Sequence, residues 1–344
     1  MASRVRSVQN LGLRRRRQSR LNPGFWRRWI GSSRAVATAS ENACFLHKRP
    51  VRSVNFSTDG QLLCTASEDG TSLVYDLETG LLLKEVDHGS TIWWSDFSHD
   101  GSMLCTASDD RSVRVYDCKS WKLLEMFGHG LPAKSASFSP DSQTLATASG
   151  DAFVRIFGLE NGEEVAKLKH DSWVVSVRYS PDGSLLATGS ADKWVRIFDA
   201  KSQDAKLVFK KKFVGLVTCV DFSPDSRFFC ASTTRTEDHT QIVELETGHR
   251  EMSFKQDAMT VSARFSPDGD KVCTVSGDHA RVYDVQSGKL LRHFEQKIHI
   301  NSAAMRRDGL LCTAGQDGAV RFFGAAESAP AGHLVSERLH LRSE

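Results

Sequence analysis

Four histidines, His47, His88, His129 and His170, stand 41 residues apart, and an aspartate follows each by 22 residues: Asp69, Asp110, Asp151 and Asp192. An imidazole beside a carboxylate is the chemistry of a general base, because the carboxylate fixes the tautomer and steadies the protonated ring. Recurrence argues against that use. A reacting centre is needed once, whereas these couples return at equal spacing, as structural parts do. A buried carboxylate must be well hydrogen-bonded, and an imidazole N–H with a threonine hydroxyl can do this. Thr65, Thr106, Thr147 and Thr188 stand at the matching place. The sequence has no GxSxG, no HExxH and no glycine-rich phosphate loop, so no catalytic residue is expected.

The eight cysteines are a second possible resource for chemistry. Cys64, Cys105, Cys230 and Cys273 each follow a turn aspartate by five residues and Cys312 by four, while Ala146 and Ala187 fill the same slot elsewhere. Exchange with alanine marks a small buried side chain, a free thiol behaving as a hydrophobe. Equivalent slots in different units lie too far apart to bridge, since a disulfide needs Cα atoms within about 7 Å. Cys44, Cys118 and Cys219 make no CxxC pair. No metal, no cofactor and no small-molecule substrate is expected.

The elements that hold these residues follow from the same period. Turn aspartates Asp59, Asp100, Asp141, Asp182, Asp225, Asp268 and Asp308 are spaced by 41, 41, 41, 43, 43 and 40 residues, giving seven units. Three residues before each comes Phe56, Phe97, Phe138, Tyr179, Phe222, Phe265 or Met305, one large apolar side chain per unit for the same layer. Within residues 88–129, Thr91 to Phe97, Met103 to Ala107, Val113 to Tyr116 and Lys122 to Phe127 are short β-rich runs separated by turn residues. That pattern predicts an antiparallel four-stranded meander. One meander cannot bury both faces, but seven arranged radially bury each other.

At this point the chain resembles the WD-repeat β-propellers across about residues 41 to 325. Gly128-His129 matches the family's Gly-His, and its Trp-Asp slots hold Tyr75-Asp76, Tyr116-Asp117, Phe157-Gly158, Phe198-Asp199, Tyr283-Asp284 and Phe323-Gly324. The family's hydrogen-bonded set then maps onto His47, Thr65, Asp69 and Tyr75, and onto His88, Thr106, Asp110 and Tyr116. Shorter sets map onto His129, Thr147 and Asp151, and onto His170, Thr188 and Asp192, because Phe157 and Phe198 cannot donate. The resemblance implies an all-β, seven-bladed β-propeller of four-stranded antiparallel blades that serves as an assembly platform.

Ring closure must join the first and last units. Residues 40 to 46 precede His47 as a fourth strand precedes each later histidine, so the ring is expected to be closed by this N-terminal strand rather than by Leu334 to Leu339. The expected organisation is a basic arm over 1–34, the propeller over 35–325 and a tail over 326–344.

Candidate contacts lie where the repeat breaks. Unit five reads Thr233-Thr234-Arg235-Thr236-Glu237-Asp238-His239-Thr240 where other units turn tightly, which makes Arg235, Glu237, Asp238 and His239 candidate partner-binding residues. Trp93, Trp94, Trp173 and Trp194, with Arg52, Lys134 and Phe153, belong near one rim by repeat position. Exposed Trp and Arg are common anchors of interfaces.

Charge is partitioned. Residues 1–40 hold ten arginines with no lysine and no acid, and the whole chain is +3, so residues 41–344 carry −7. Arg14-Arg15-Arg16-Arg17 suits a nuclear import signal or a nucleic-acid contact, and an acid-free Arg/Ser arm also fits a mitochondrial presequence. Phe25-Trp26-Arg27-Arg28-Trp29 permits base stacking or membrane-surface contact. No apolar stretch approaches the ~20 residues of a membrane span. The expectation is a non-catalytic intracellular scaffold, nuclear or cytoplasmic, that binds other proteins on a propeller rim. Alternatives are a nucleic-acid adaptor acting through the arm, or a mitochondrial location if residues 1–34 are a presequence.

Overall fold

The computed structural model describes residues 43–202, 204–235 and 240–324, with Ala43 and Cys44 described as backbone only. Glu237, Asp238 and His239, the basic arm and the tail lie outside the described residues. The described chain forms seven four-stranded antiparallel sheets in sequence order. Blade 1 runs outward as Val51–Phe56, Leu62–Ser67, Thr71–Asp76 and Leu82–Asp87. Inner strands of blades 2 to 6 are Ile92–Phe97, Ala133–Phe138, Val174–Tyr179, Val217–Phe222 and Thr260–Phe265. Each inner strand approaches the inner strands of its neighbours, and that of blade 1 approaches Ile300–Met305 of blade 7. The sheets therefore close into a ring.

Blade 7 takes its outer strand from the other end of the chain. Ala43–Leu46 pairs antiparallel with Ala319–Phe323, matching Phe45 to Val320 and Leu46 to Ala319. Both the seven-fold count and the N-terminal closure agree with the sequence expectation. Phe45 then stacks on Tyr75 of blade 1 at 3.7 Å between ring centroids, so the closing strand also seals the joint between first and last blades.

Packing lies between blades. Among the described residues each apolar cluster draws on two neighbours: Cys64, Val74 and Val86 of blade 1 meet Phe97, Leu104 and Tyr116 of blade 2. The thiol slots Cys64, Cys105, Cys230, Cys273 and Cys312 are buried free cysteines. Burial pushes the Cys64, Cys105 and Cys230 thiols up and Cys273 to about 12, which suppresses the reactive thiolate.

The turns show why glycine recurs and where it is missing. After each network aspartate the chain enters the left-handed region, with Gly70 at φ 87° and Gly318 at φ 81°. The same place is filled by Arg111 at φ 71°, Ala152 at φ 66° and Lys193 at φ 74°. Asp151 Oδ1 accepts from Phe153 N at 3.1 Å, and Asp69 Oδ1 accepts from Thr71 N at 2.9 Å. The aspartate side chain therefore sets this turn, and the following residue bears the strain. Replacing Ala152 with glycine should raise stability by about 1 kcal/mol by relieving a Cβ clash. Urea unfolding checks this, and an unchanged or lower midpoint contradicts it.

Candidate functional site: the loop face of the ring

The ring has two faces. On the loop face each outer strand passes to the next blade and the second strand turns into the third. The opposite, turn face carries the Asp59-type turns at the ends of the inner strands. The histidine networks sit just beneath the loop face. In blade 1 His47 Nδ1 meets Asp69 at 3.1 Å and Nε2 meets Thr65 Oγ1 at 2.7 Å. In blade 2 His88 meets Asp110 and Thr106, each at 2.8 Å. Asp69 is held well below the usual carboxylate range: burial opposes ionisation, but His47, Thr71 and the Lys48 N–H overcome it.

Blades 3 and 4 differ from the expected pairing. Asp151 takes Arg155 at 2.8 Å, and that guanidinium also donates to His129 Nδ1 at 3.1 Å. Thr147 Oγ1 donates to the Arg155 carbonyl at 3.3 Å rather than to His129. In blade 4 Asp192 takes Arg196 at 2.7 Å, while His170 bonds Thr188 at 2.9 Å and the Leu168 carbonyl at 3.3 Å. In blade 2 Arg114 also reaches Asp110 at 2.8 Å, yet His88 keeps its bond there, so a charged guanidinium four residues beyond the aspartate shares the carboxylate in blade 2 and replaces the imidazole on it in blades 3 and 4. The arginine column was missed in the sequence, although Arg114, Arg155 and Arg196 repeat every 41 residues.

The rim aromatics fall into separate groups. Trp93 lies between Arg52 (4.8 Å) and Lys134 (3.8 Å), and its Nε1 donates to Asp109 at 2.5 Å, while Lys134 bonds Asp109 at 2.9 Å. Arg52 also pairs with Glu68. These three predicted residues form one unit bridging blades 1 to 3. Phe153 is covered by Lys167 at 4.5 Å and Arg155 at 5.4 Å, and Trp194 by Lys210 at 5.3 Å, each within its own blade. Trp173 stands out at 59% exposed. It occupies the place just before the inner strand, where blades 5 and 6 carry the exposed Leu216 and Met259, with Leu131 and Val214 beside them. Blades 3 to 6 thus share an apolar arc, which the sequence reading found only at Trp173. On blade 5 the described Arg235 is exposed beside it.

The family model for "WD domain, G-beta repeat" matches residues 36–76, 81–117, 121–158, 162–199 and 208–240. The chain belongs to the WD-repeat family. No curated protein matches it. In this WD-repeat ring the matched units end at blade 5, yet blades 6 and 7 keep the same four-stranded form.

Trp94 corrects its expected rim position. A register shift between Ile92 and Trp94 turns it inward, where the other blades have Ser53, Ser135, Ser176, Cys219, Ser262 and Ser302. Its indole lies between Arg178 of blade 4 (4.1 Å) and Arg264 of blade 6 (4.6 Å). Blades 2, 4 and 6 are not neighbours, so this sandwich crosses the axis of the WD-repeat ring. Arg264 is fixed by a hydrogen bond to Asn55 of blade 1, and Arg178 donates to the Val177 carbonyl at 3.0 Å. Burial pushes the carboxyls of Asp96 and Asp221 up, while both guanidiniums hold them back.

Two outcomes follow. Burial, and then the nearby guanidiniums, lower the imidazoles of His129 and His170 to about 4, against an ordinary value near 6.5. The unfolded chain therefore binds protons below pH ~6.5 that the folded chain refuses until pH ~4, so stability is complete above that window and falls with acid across it. The urea midpoint should drop between pH 7 and 4.5, and a His129→Gln/His170→Gln variant should flatten the slope. A midpoint constant over that range rejects the account. Trp94→Ala should cost about 3–5 kcal/mol by emptying the axis and uncovering two guanidiniums. A loss under ~1 kcal/mol would show that the sandwich is not a packing element.

Proposed function

We propose that this chain is a non-catalytic scaffold that docks partner proteins on its loop face and gathers them into a complex. WD-repeat propellers in general are platforms for binding other proteins, and their strength as platforms comes from loops held on a rigid frame. The observation that carries the reading is the arc of Leu131, Trp173, Leu216 and Met259, four exposed apolar side chains on contiguous blades. Exposed aromatic side chains in such a patch are the usual anchors of an interface. Exposed Lys48, Arg49 and Lys297 flank it on blades 1 and 7. A fitting partner presents apolar side chains to blades 3 to 6 and carboxylates to blades 7 and 1.

The arginine-rich arm supports a second reading, a nucleic-acid-associated adaptor. Its net +10 over residues 1–40 would bind phosphate with strongly salt-dependent affinity. The nucleus or cytoplasm is the proposed location, and the mitochondrion if residues 1–34 are a presequence.

Affinity capture from cell extract with full-length bait tests the scaffold. Trp173→Ala should weaken the capture of specific partners about tenfold or more. Its thermal midpoint should stay unchanged, because the side chain is mostly in solvent. If partners are retained equally by the Trp173→Ala/Leu216→Ala/Met259→Ala variant, the loop face is not the docking surface.

A further inference from the structure

On the side of blades 1 to 4 the turn face, opposite the docking arc, opens into a cavity of about 200 Å³ whose lining includes the His99 ring. Its walls include Phe56, Phe97, Phe138 and Tyr179, the large residue that ends the inner strand in blades 1 to 4, and Asp96 reaches it from within. The Asp96 carboxylate accepts from Phe97 N at 3.0 Å, and among the described residues no basic nitrogen lies within 4 Å of it. The nearest guanidiniums, Arg178 and Arg264, hold the carboxyl back from beyond 4 Å while lying on the faces of Trp94; Arg264 also bonds Asn55, though its Nε–H finds no acceptor, and Arg178 bonds a backbone carbonyl. The Trp94 indole is adjacent, yet its Nε1–H finds no acceptor of good geometry. An acidic floor under aromatic walls is suited to a flat cation, which can pair with the carboxylate and lie against π faces. Burial raises the Asp96 carboxyl although Arg178 and Arg264 hold it back, and a cation in direct contact would offset more of that penalty.

We propose that this cavity receives a guanidinium side chain and that the arginine-rich segment of residues 14–28 of the same chain supplies it. The strand Ala43–Leu46 enters from the turn face: Leu46 pairs with Ala319 near the loop face, and Ala43 pairs with Arg321 further down. The preceding chain is therefore delivered on the side where the cavity opens. Three strand spacings of ~4.8 Å and the channel radius put that entry roughly 20 Å from the axis. Arg28 precedes Ala43 by 15 residues, a length that reaches up to about 50 Å when extended. Charge favours the match, since residues 1–40 carry +10 and residues 41–344 carry −7, and the turn face bears one aspartate turn per blade. This occupancy is independent of partner docking on the loop face.

Trypsin cuts after arginine, so docking slows cleavage between residues 14 and 28 of the full chain. Asp96→Asn should speed that cleavage about tenfold, the effect of losing one hydrogen bond to a charged group. Thr58→Arg should do the same by placing a rival guanidinium at the cavity mouth; Thr58 is exposed, so this variant spares the buried packing even if Asp96→Asn fails to fold. Trp173→Ala should leave the rate unchanged, which separates this proposal from the loop-face reading. Protection independent of protein concentration supports the intramolecular site. Equal rates in the wild type and Thr58→Arg overturn the proposal, and protection that grows with concentration reassigns the occupant to another molecule and overturns it as well.

Discussion

The structure depends on one constraint: no blade can bury both of its faces, so every blade is stable only between two others. Leu63, Leu104, Leu145 and Leu186 are fully buried because a neighbouring sheet covers them. Each such side chain contributes about 1.5–3 kcal/mol by leaving water, and that contribution exists only in the closed ring. The joint between blades 7 and 1 is therefore as important as any covalent staple. It is made by Phe45, which packs with Tyr75 on one side and Phe322 on the other. Without that strand, Ala319–Phe323 would expose a row of unpaired backbone groups, the kind of edge that invites aggregation.

Beneath the loop face five blades meet the same second problem with different chemistry, while in blade 3 Thr147 bonds the Arg155 carbonyl and not His129. The buried threonine of the second strand needs a donor or acceptor facing it. His47, His88 and His170 meet that need through Nε2. Gln256 and Gln296 do so through an amide, reaching Thr274 at 3.0 Å and Thr313 at 2.8 Å. Blade 5 removes the need altogether: Phe213 stands for the histidine and Ala231 for the threonine, and both join one apolar cluster. Replacing both partners of a buried hydrogen bond by apolar groups is far cheaper than removing one, which is why the two changes occur together. Imidazole, amide and phenyl interchange at this position, and what five of these six blades share is a contact with the second strand.

The fold was legible because its cause is local and repeated. A turn aspartate, an apolar residue three places earlier and a 41-residue period are visible in a single pass, and the sheets follow from them. The site was legible in part. Trp93 with Arg52 and Lys134 could be placed by repeat position, since all three occupy the second place of an inner strand. Trp94 could not, because its neighbours Arg178 and Arg264 lie 84 and 170 residues away and meet it only across a closed ring. One residue separates a rim tryptophan from an axial one, and the register shift that decides between them is a property of the strand pair. The capture of Asp151 and Asp192 by arginine was hidden for another reason: the spacing was visible, but the competition between guanidinium and imidazole depends on distances.

The axial sandwich ties the two faces into one body. Most propeller contacts are between adjacent blades, so a disturbance at one rim need not reach the opposite side. Trp94 changes this, because blades 2, 4 and 6 meet at one indole, and blade 1 is added through Asn55. Its strand also carries Trp93 toward the loop face and Asp96 toward the turn face. The two guanidiniums that flank Trp94 hold this six-residue strand laterally. The residue that departs most from the serine column thus packs both across the axis and against the apolar cluster between blades 2 and 3.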